Sequence, residues 1–181
     1  MEPASGSRGR HSFVSNAPLA GSLAAALLAL QPLSAFAALS ISPPTSVSFT
    51  GVQLSGANLQ TTASPAVGVT DWVGVSNGWN LTLSTTAFSG PNAASIPDPA
   101  LSIQSAPSAV CASTCSSMPT NGVTYPVSIP QNNTAVKWFN ASAGTGLGDF
   151  TITPTLSLAI PANTFAGSYT ATETYSIVSG P

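Results

Sequence analysis

Apolar and polar residues alternate with a period of two along most of the chain beyond residue 38, which is typical of half-buried β-strands. The longest run lies at 150–160, where apolar side chains alternate with mostly hydroxyl-bearing ones: Phe150, Ile152, Pro154, Leu156, Leu158 and Ile160 against Thr151, Thr153, Thr155, Ser157 and Ala159. Similar runs lie at 79–84 and 169–177. Weaker alternation predicts further strands at 46–50, 67–71, 100–104, 123–129 and 135–139. Because proline cannot donate a hydrogen bond to a neighbouring strand, Pro154 is expected at a bulge or facing away from a partner.

Short turn-forming segments separate these runs. They contain proline, glycine or asparagine and lie at 42–44, 90–92, 97–99, 120–122 and 161–163. No window beyond residue 38 keeps a helical period. About eight short strands with turns between them predict an all-β fold, an antiparallel, immunoglobulin-like β-sandwich that forms one domain over residues 38–181.

The first 37 residues have the pattern of an export signal. Arg8 and Arg10 precede an uncharged apolar run at 19–30, and Ala35 and Ala37 fit the small-residue cleavage site of a secretory signal peptide. A membrane anchor is the alternative, but the run is only about a dozen residues long, whereas a spanning helix needs ~20. We therefore expect a signal peptide at 1–37 and a secreted mature chain without a membrane span.

Charged residues are unusually scarce. The chain has three Lys plus Arg, five Asp plus Glu and one His, and beyond residue 38 only five charged side chains remain: Asp71, Asp98, Asp149, Glu173 and Lys137. A nucleic-acid partner would need a basic cluster, and Ser-His-Asp hydrolysis would need a histidine base. No metal or cofactor site is expected from two cysteines and scattered carboxylates. The sequence therefore predicts a protein that is not an enzyme, with a neutral surface that favours attachment to another structure.

The two cysteines lie close together in an exported chain. Cys111 and Cys115 are separated by three residues, and a disulfide between them is favoured outside the reducing cytosol. The spacing differs from the C-x-x-C motif of redox-active sites, so the expected bridge is a local structural one.

Two stretches resemble the WxL domain of Gram-positive surface proteins. The first runs Val67-Gly-Val-Thr-Asp-Trp-Val-Gly-Val-Ser-Asn-Gly-Trp-Asn-Leu-Thr-Leu83, and the second is the C-terminal Leu158-Ala-Ile-Pro-Ala-Asn-Thr-Phe-Ala-Gly-Ser-Tyr-Thr-Ala-Thr-Glu-Thr-Tyr-Ser-Ile-Val-Ser-Gly-Pro181. The resemblance matches Trp79-Asn80-Leu81 to the first Trp-x-Leu motif. Tyr175-Ser176-Ile177 stands at the second, where tyrosine replaces the tryptophan. Members of that family associate non-covalently with the cell wall, and the resemblance implies peptidoglycan or another wall polymer as the partner.

The motif residues admit two interpretations. Trp79 and Leu81 share one strand face, as do Tyr175 and Ile177, so both pairs either pack in the core or form a glycan-stacking site; the core is the favoured interpretation. Trp72 has the opposite parity to Asp71, so its indole has two possible roles. It either lies exposed and stacks on a sugar ring, with Asp71 accepting a hydrogen bond from a sugar hydroxyl, or it covers a sheet edge. The candidate ligand-binding residues are Trp72, Asp71, Trp79, Leu81, Tyr175 and Ile177.

The sequence leaves alternatives open for the environments of three further aromatic or charged side chains. Parity places Trp138 and Phe139 on opposite faces, so one of them is expected to be exposed. Glu173 lies on the otherwise apolar face of the last strand and needs solvent or a partner, for which Lys137 is the only base. An isopeptide bond assisted by Glu173 is a third possibility.

These observations favour a secreted, non-catalytic surface protein with a structural or adhesive role at the cell wall. The alternative is a self-assembling or complex-forming surface subunit, because strands without lysine leave edges open to strand addition from another protein or a second copy.

Overall fold

The structure is a computed structural model, and it describes residues 39–73 and 77–180. The predicted signal peptide at 1–37 lies outside the described residues, and both it and the domain boundary at residue 38 stay predictions.

Eleven strands and one short 3-10 helix form in the described part of the chain: β1 (Leu39–Ser42), β2 (Leu59–Ala63), β3 (Val67–Asp71), β4 (Trp79–Thr85), the 3-10 helix (Pro91–Ala93), β5 (Leu101–Ile103), β6 (Ser108–Ser117), β7 (Val127–Ile129), β8 (Val136–Ala141), β9 (Leu147–Thr153), β10 (Leu156–Ile160) and β11 (Glu173–Ser179). Every strand pair among them is antiparallel. The prediction of an all-β, antiparallel fold is therefore confirmed.

The strands form three sheets. The first has the order β1-β3-β9-β6, the second β2-β10-β5-β7 and the third β11-β4-β8. A sandwich has two facing sheets, so the immunoglobulin-like arrangement stays a prediction.

Pro154 marks the point at which the chain passes from the first sheet to the second. The predicted single run at 150–160 is two strands, because β9 ends at Thr153 and β10 begins at Leu156. Pro154 itself is buried. Proline has no backbone N–H to donate to a neighbouring strand, so it is suited to the point where the chain leaves one sheet for another. The alternation of apolar and polar side chains therefore continues through Pro154, although the strand pairing does not.

The core draws on all three sheets. Its largest side chains with less than 2% exposure are Trp79, Trp138, Phe150, Leu81, Leu83, Leu101, Ile103, Ile129, Ile152 and Leu156. Apolar positions on β3, β4 and β9 alternate in burial as predicted, which places most hydroxyl-bearing side chains of these strands on the outer faces; Thr85 at the end of β4 is the buried exception.

Several strand boundaries differ from those predicted. Residues 46–50 form no strand, although Val47 and Phe49 pack against the core, so their alternation reflects one-sided burial without a paired strand. The last strand begins at Glu173, not at residue 169, and the predicted strand at 123–129 is reduced to β7. β2 and β6 were missed because both are rich in polar side chains and lie at sheet edges.

Trp138 and Phe139 are both buried, at 0% and 2% exposure, so the prediction that one of them is exposed is wrong. In the pairing of β4 with β8, Leu81 lies opposite Phe139 while the next residue of β4, Thr82, lies opposite Lys137. Trp138 is therefore the extra residue of a β-bulge. A bulge breaks the strict alternation of faces, which allows two successive rings to enter the core.

Candidate functional site

The two motifs of the Trp-x-Leu type lie side by side in the third sheet. Antiparallel pairing of β11 with β4 places Ile177 opposite Leu81 and Tyr175 opposite Leu83. Trp79 and Leu81 are fully buried, and Tyr175 and Ile177 are half-buried against the core. The motifs therefore form one ladder whose apolar side chains face inward.

Trp79 is held in place by a hydrogen bond from its indole nitrogen and by contacts of its ring with two other aromatic rings. Its Nε1–H donates a 2.9 Å hydrogen bond to the backbone oxygen of Gly146. Its ring lies 5.9 Å from that of Phe139 and 6.4 Å from that of Phe150, centroid to centroid. In this conformation Trp79 and Leu81 offer no surface to a ligand, which agrees with the core interpretation of the motif.

Asp71 and Trp72, predicted to act together, occupy different environments. Asp71 is 3% exposed, and its Oδ1 accepts a 3.1 Å hydrogen bond from the backbone N–H of Val73. Trp72 is half-exposed, and its Nε1–H donates a 3.2 Å bond to Oδ1 of Asp149. The indole at this surface therefore pairs with Asp149 in β9, while Asp71 bonds to the backbone of Val73 directly after β3.

Asp149 accepts hydrogen bonds from three side chains on the outer face of the first sheet. Ser113 donates its hydroxyl to Oδ2 at 2.5 Å, in addition to the bond from Trp72. Ser113, then Thr70 and Trp72, lower the pKa of Asp149 because their hydrogen bonds stabilise the ionised carboxylate. Among the described residues no three His, Cys, Asp or Glu side chains are grouped as a metal ion would require.

The predicted disulfide between Cys111 and Cys115 is present, with the two Cα atoms 6.0 Å apart. Cys111 pairs with Phe150 and Cys115 with Gly148, so β6 advances four residues while β9 advances two. The bridge closes the resulting bulge, and Ser113 lies at its centre. The disulfide therefore positions the hydroxyl that reaches Asp149.

A cleft of about 1050 Å³ opens beside the second motif. Residues 44–54, between β1 and β2, and residues 164–173, between β10 and β11, supply most of its lining, and Phe88, Ile96 and Leu158 add buried apolar surface. A 2.6 Å bond from the Thr61 hydroxyl to the backbone oxygen of Thr50 fixes the first of these segments to β2.

Aromatic rings and hydroxyl groups dominate the cleft. Phe165 is 64% exposed, and Tyr169 and Tyr175 are half-exposed. The Tyr169 hydroxyl donates to the backbone oxygen of Phe165 at 3.1 Å, which holds the two residues together. Glu173 is the one charged side chain among the lining residues.

Glu173 is half-buried at the cleft, and its partner is Tyr175. The Tyr175 hydroxyl donates a 2.8 Å hydrogen bond to Oε2 of Glu173. Burial raises the pKa of Glu173, and the bond from Tyr175 only partly opposes that shift. Burial and the adjacent carboxylate both raise the pKa of Tyr175, which therefore stays protonated and acts as the donor.

The salt bridge between Glu173 and Lys137, one of the predicted alternatives, does not form. Lys137 is exposed and lies opposite Thr82 of β4, whose partner on β11 is Ser176. Ser176 has the opposite parity to Glu173, so the carboxylate and the ammonium group lie on opposite faces of the third sheet.

The sequence did not indicate the cleft, because most of its lining comes from loops, and the strand pattern predicted strands over parts of both, at 46–50 and from 169. Phe165 could have been noticed as a large apolar residue between the turn-forming segment at 161–163 and the strand predicted from residue 169, where burial in a strand is not available. Of the six candidate residues, only Tyr175 lines the cleft.

Comparison with known proteins gives one family match. The model of the WxL family, described as a WxL domain for surface cell-wall binding, matches residues 33–181. No curated protein and no solved structure gives a significant match. No helix in the described part of the chain is long and apolar enough to cross a membrane. Since the family match extends over most of the sequence, the chain belongs to the WxL family of cell-wall-binding surface domains.

Proposed function

We propose that this protein binds peptidoglycan non-covalently through the cleft between residues 44–54 and 164–173, and that its role at the wall is structural or adhesive. One observation carries the proposal: the cleft combines exposed rings with many hydroxyl groups and a single charge. Phe165 and Tyr169 offer apolar faces for sugar rings, and the Ser and Thr hydroxyls can exchange hydrogen bonds with a neutral glycan.

Trp72 provides a second candidate contact. Its hydrogen bond to Asp149 orients the indole while leaving the ring half-exposed on the outer face of the first sheet. An oriented ring loses little conformational freedom on binding, which favours a role in recognition. The proposed roles of Asp71, Trp79, Leu81 and Ile177 are indirect, because these side chains are buried or half-buried and support the strands that carry the surface.

Co-sedimentation with purified peptidoglycan sacculi tests the proposal. The full chain, expressed in a Gram-positive host, is compared with Phe165→Ala and Trp72→Ala. Val178→Ala is the matched control, because Val178 is 50% exposed and does not line the cleft. We expect the wild type and Val178→Ala to sediment with the sacculi and Phe165→Ala to remain largely in solution. A wild-type protein that stays in the supernatant overturns wall binding. Equal sedimentation of the wild type and Phe165→Ala overturns the cleft as its site.

Export through a cleaved signal peptide is part of the same proposal. The apolar run at 19–30 and the small residues at Ala35 and Ala37 support it. The intact mass of the protein recovered from the wall fraction tests it: a chain beginning at Ala38 is expected, and a full-length mass contradicts cleavage.

Assembly with other proteins by strand addition is the second candidate function, and β11, an outer strand of the third sheet, favours it. β11 pairs with β4 without interruption over seven residues and carries no lysine. The other outer strand of its sheet, β8, carries Lys137, and the outer strand β6 is broken by the disulfide bulge. Analytical ultracentrifugation of the folded protein distinguishes the two: a concentration-dependent series of oligomers supports assembly, and a monomer favours glycan binding.

A further inference from the structure

Among the residues that the structure describes, Glu173 carries the only charge in the cleft, and no cationic side chain pairs with it. The lining residues otherwise supply hydroxyl, amide and apolar groups. Lys137 is the only base in the described part of the chain, and it lies on the opposite face of the third sheet. The carboxylate is therefore half-buried and satisfied on one side by the Tyr175 hydroxyl alone.

A half-buried carboxylate without a counter-ion lacks part of the electrostatic stabilisation that water would give it. Removal from water disfavours its ionised form, and a single neutral donor restores only part of what is lost. A cation from a ligand would complete it, and the rings of Tyr169, Tyr175 and Phe165 in the same cleft would add cation–π attraction.

The geometry selects among cations. Calcium takes six or more oxygen ligands, and one carboxylate in a cleft of neutral side chains does not supply them. A guanidinium group pairs best with both oxygens of a carboxylate, but Oε2 of Glu173 already accepts the Tyr175 hydroxyl. A primary ammonium group is a compact charge with three donors, and it can bind the free oxygen while donating to neighbouring hydroxyls.

We propose that the cleft binds peptidoglycan at a free primary amine of its peptide stem, with Glu173 as the counter-ion of that ammonium group. This inference rests on the proposed wall-binding function of the same cleft and adds the feature of the polymer that the cleft recognises. Neutral glycan would contact the rings, while the amine would fix where along the polymer the domain binds.

Chemical blocking of the amines tests the inference. Sacculi stripped of teichoic acids are divided, and one half is treated with acetic anhydride, which converts primary amines into neutral amides. Binding of the full chain to both preparations is measured by co-sedimentation, with Glu173→Gln as the test variant. Asp98→Asn is the matched control, because it removes the same charge at an exposed position outside the cleft.

We expect acetylation to weaken binding of the wild type and of Asp98→Asn about tenfold, since hydrogen bonds to charged groups are the stronger ones. Glu173→Gln keeps an acceptor for Tyr175, and it should bind both preparations equally, at the weakened level. Equal binding of the wild type to treated and untreated sacculi overturns the inference while wall binding stands. Absence of wild-type binding to untreated sacculi overturns the proposed function itself.

Calorimetry with a soluble stem peptide, with its side-chain amine free or acetylated, should show the same difference in affinity. Equal affinity for the two peptides contradicts the assignment to the peptide stem.

Discussion

The indole Nε1–H of Trp79 and the backbone oxygen of Gly146 form a buried 2.9 Å hydrogen bond that ties the first Trp-x-Leu motif to the turn before β9. Gly146 has a φ of +76°, and a Cβ at this position would lie 2.4 Å from the Cβ of Ala141 and 2.8 Å from Nε1 of Trp79. The tryptophan of the motif is therefore a structural element whose polar atom and ring are both matched to the turn.

Substitution of Trp79 should reduce stability without a specific effect on wall binding. Trp79→Ala leaves a cavity in a fully buried site and should cost ~3–5 kcal/mol of unfolding free energy. Trp79→Phe keeps an aromatic ring but leaves the Gly146 oxygen without its donor, so it should cost less, ~1–3 kcal/mol. Urea unfolding measures both. The folded fraction of Trp79→Phe should bind sacculi as the wild type does, and a folded variant that no longer binds would contradict a purely structural role.

The turn offers a matched pair of glycines for a test of the close approach at Gly146. Gly144 and Gly146 both have positive φ values, +84° and +76°, but a Cβ at Gly144 would meet no atom within 4 Å. Both alanine variants place a Cβ at a similar positive φ and carry similar backbone strain, so their difference isolates the clash with Ala141 and Trp79. Gly146→Ala should be less stable than Gly144→Ala by at least ~1 kcal/mol. Equal midpoints in urea unfolding would show that the turn moves aside.

Loss of the disulfide should loosen the outer face of the first sheet while the fold survives. The loop closed by Cys111 and Cys115 is short, so the double variant Cys111→Ser with Cys115→Ser should lose only about 2 kcal/mol. Ser113 would then no longer be held beside Asp149. The expected result is a lower unfolding midpoint with unchanged sacculus binding, because the bridge lies outside the cleft. A large loss of binding would move the site toward Trp72.

Asp149 should contribute stability that is lost in acid. Its pKa in the folded protein is lowered, so the contribution is present above the carboxyl's unfolded pKa and disappears as the pH falls through the folded value. Ser113→Ala removes the first of the groups that lower this pKa, and it should move the loss to higher pH. Asp149→Asn should remove this part of the acid transition. Thermal unfolding across the acidic range measures both, and superimposable profiles for Ser113→Ala and the wild type would contradict the role of the hydroxyl.

The strand pattern predicted the fold class and the main core because alternation reports which side chains are buried. It could not report which strands pair, so the break at Pro154 and the division into three sheets stayed hidden. The strand pattern could not predict the bulge at Trp138 either, since an argument from parity assumes an uninterrupted strand pairing. Alternation at Val47 and Phe49 predicted burial correctly and a strand wrongly.

The candidate site was harder to predict than the fold. Parity indicated that Glu173 shares the face of Tyr175, and the structure shows their hydrogen bond. The sequence could not show that Lys137 lies on the other face, because that depends on the register of β4 with both of its neighbours. Nor could it show that Trp72 pairs with Asp149, 77 residues away along the chain.

Glu173 should give the protein a stability that declines as the pH rises. Its pKa in the folded protein is raised by burial, so the folded state favours the protonated form. The contribution is therefore fully present below the carboxyl's unfolded pKa and is lost as the pH rises through the raised folded value. Glu173→Gln cannot ionise, and its stability relative to the wild type should increase across that interval and then level off.

Tyr175→Phe provides the second arm of this test. Among the groups at the cleft, Tyr175 is the one that lowers the pKa of Glu173, so its removal should shift the decline in stability to higher pH. Urea unfolding midpoints from about pH 3 to about pH 8 bracket the range in which a carboxyl with a raised pKa titrates. If wild type and Glu173→Gln keep a constant difference across this range, the carboxylate is solvated in both states. Its need for a cationic partner would then lose its physical basis.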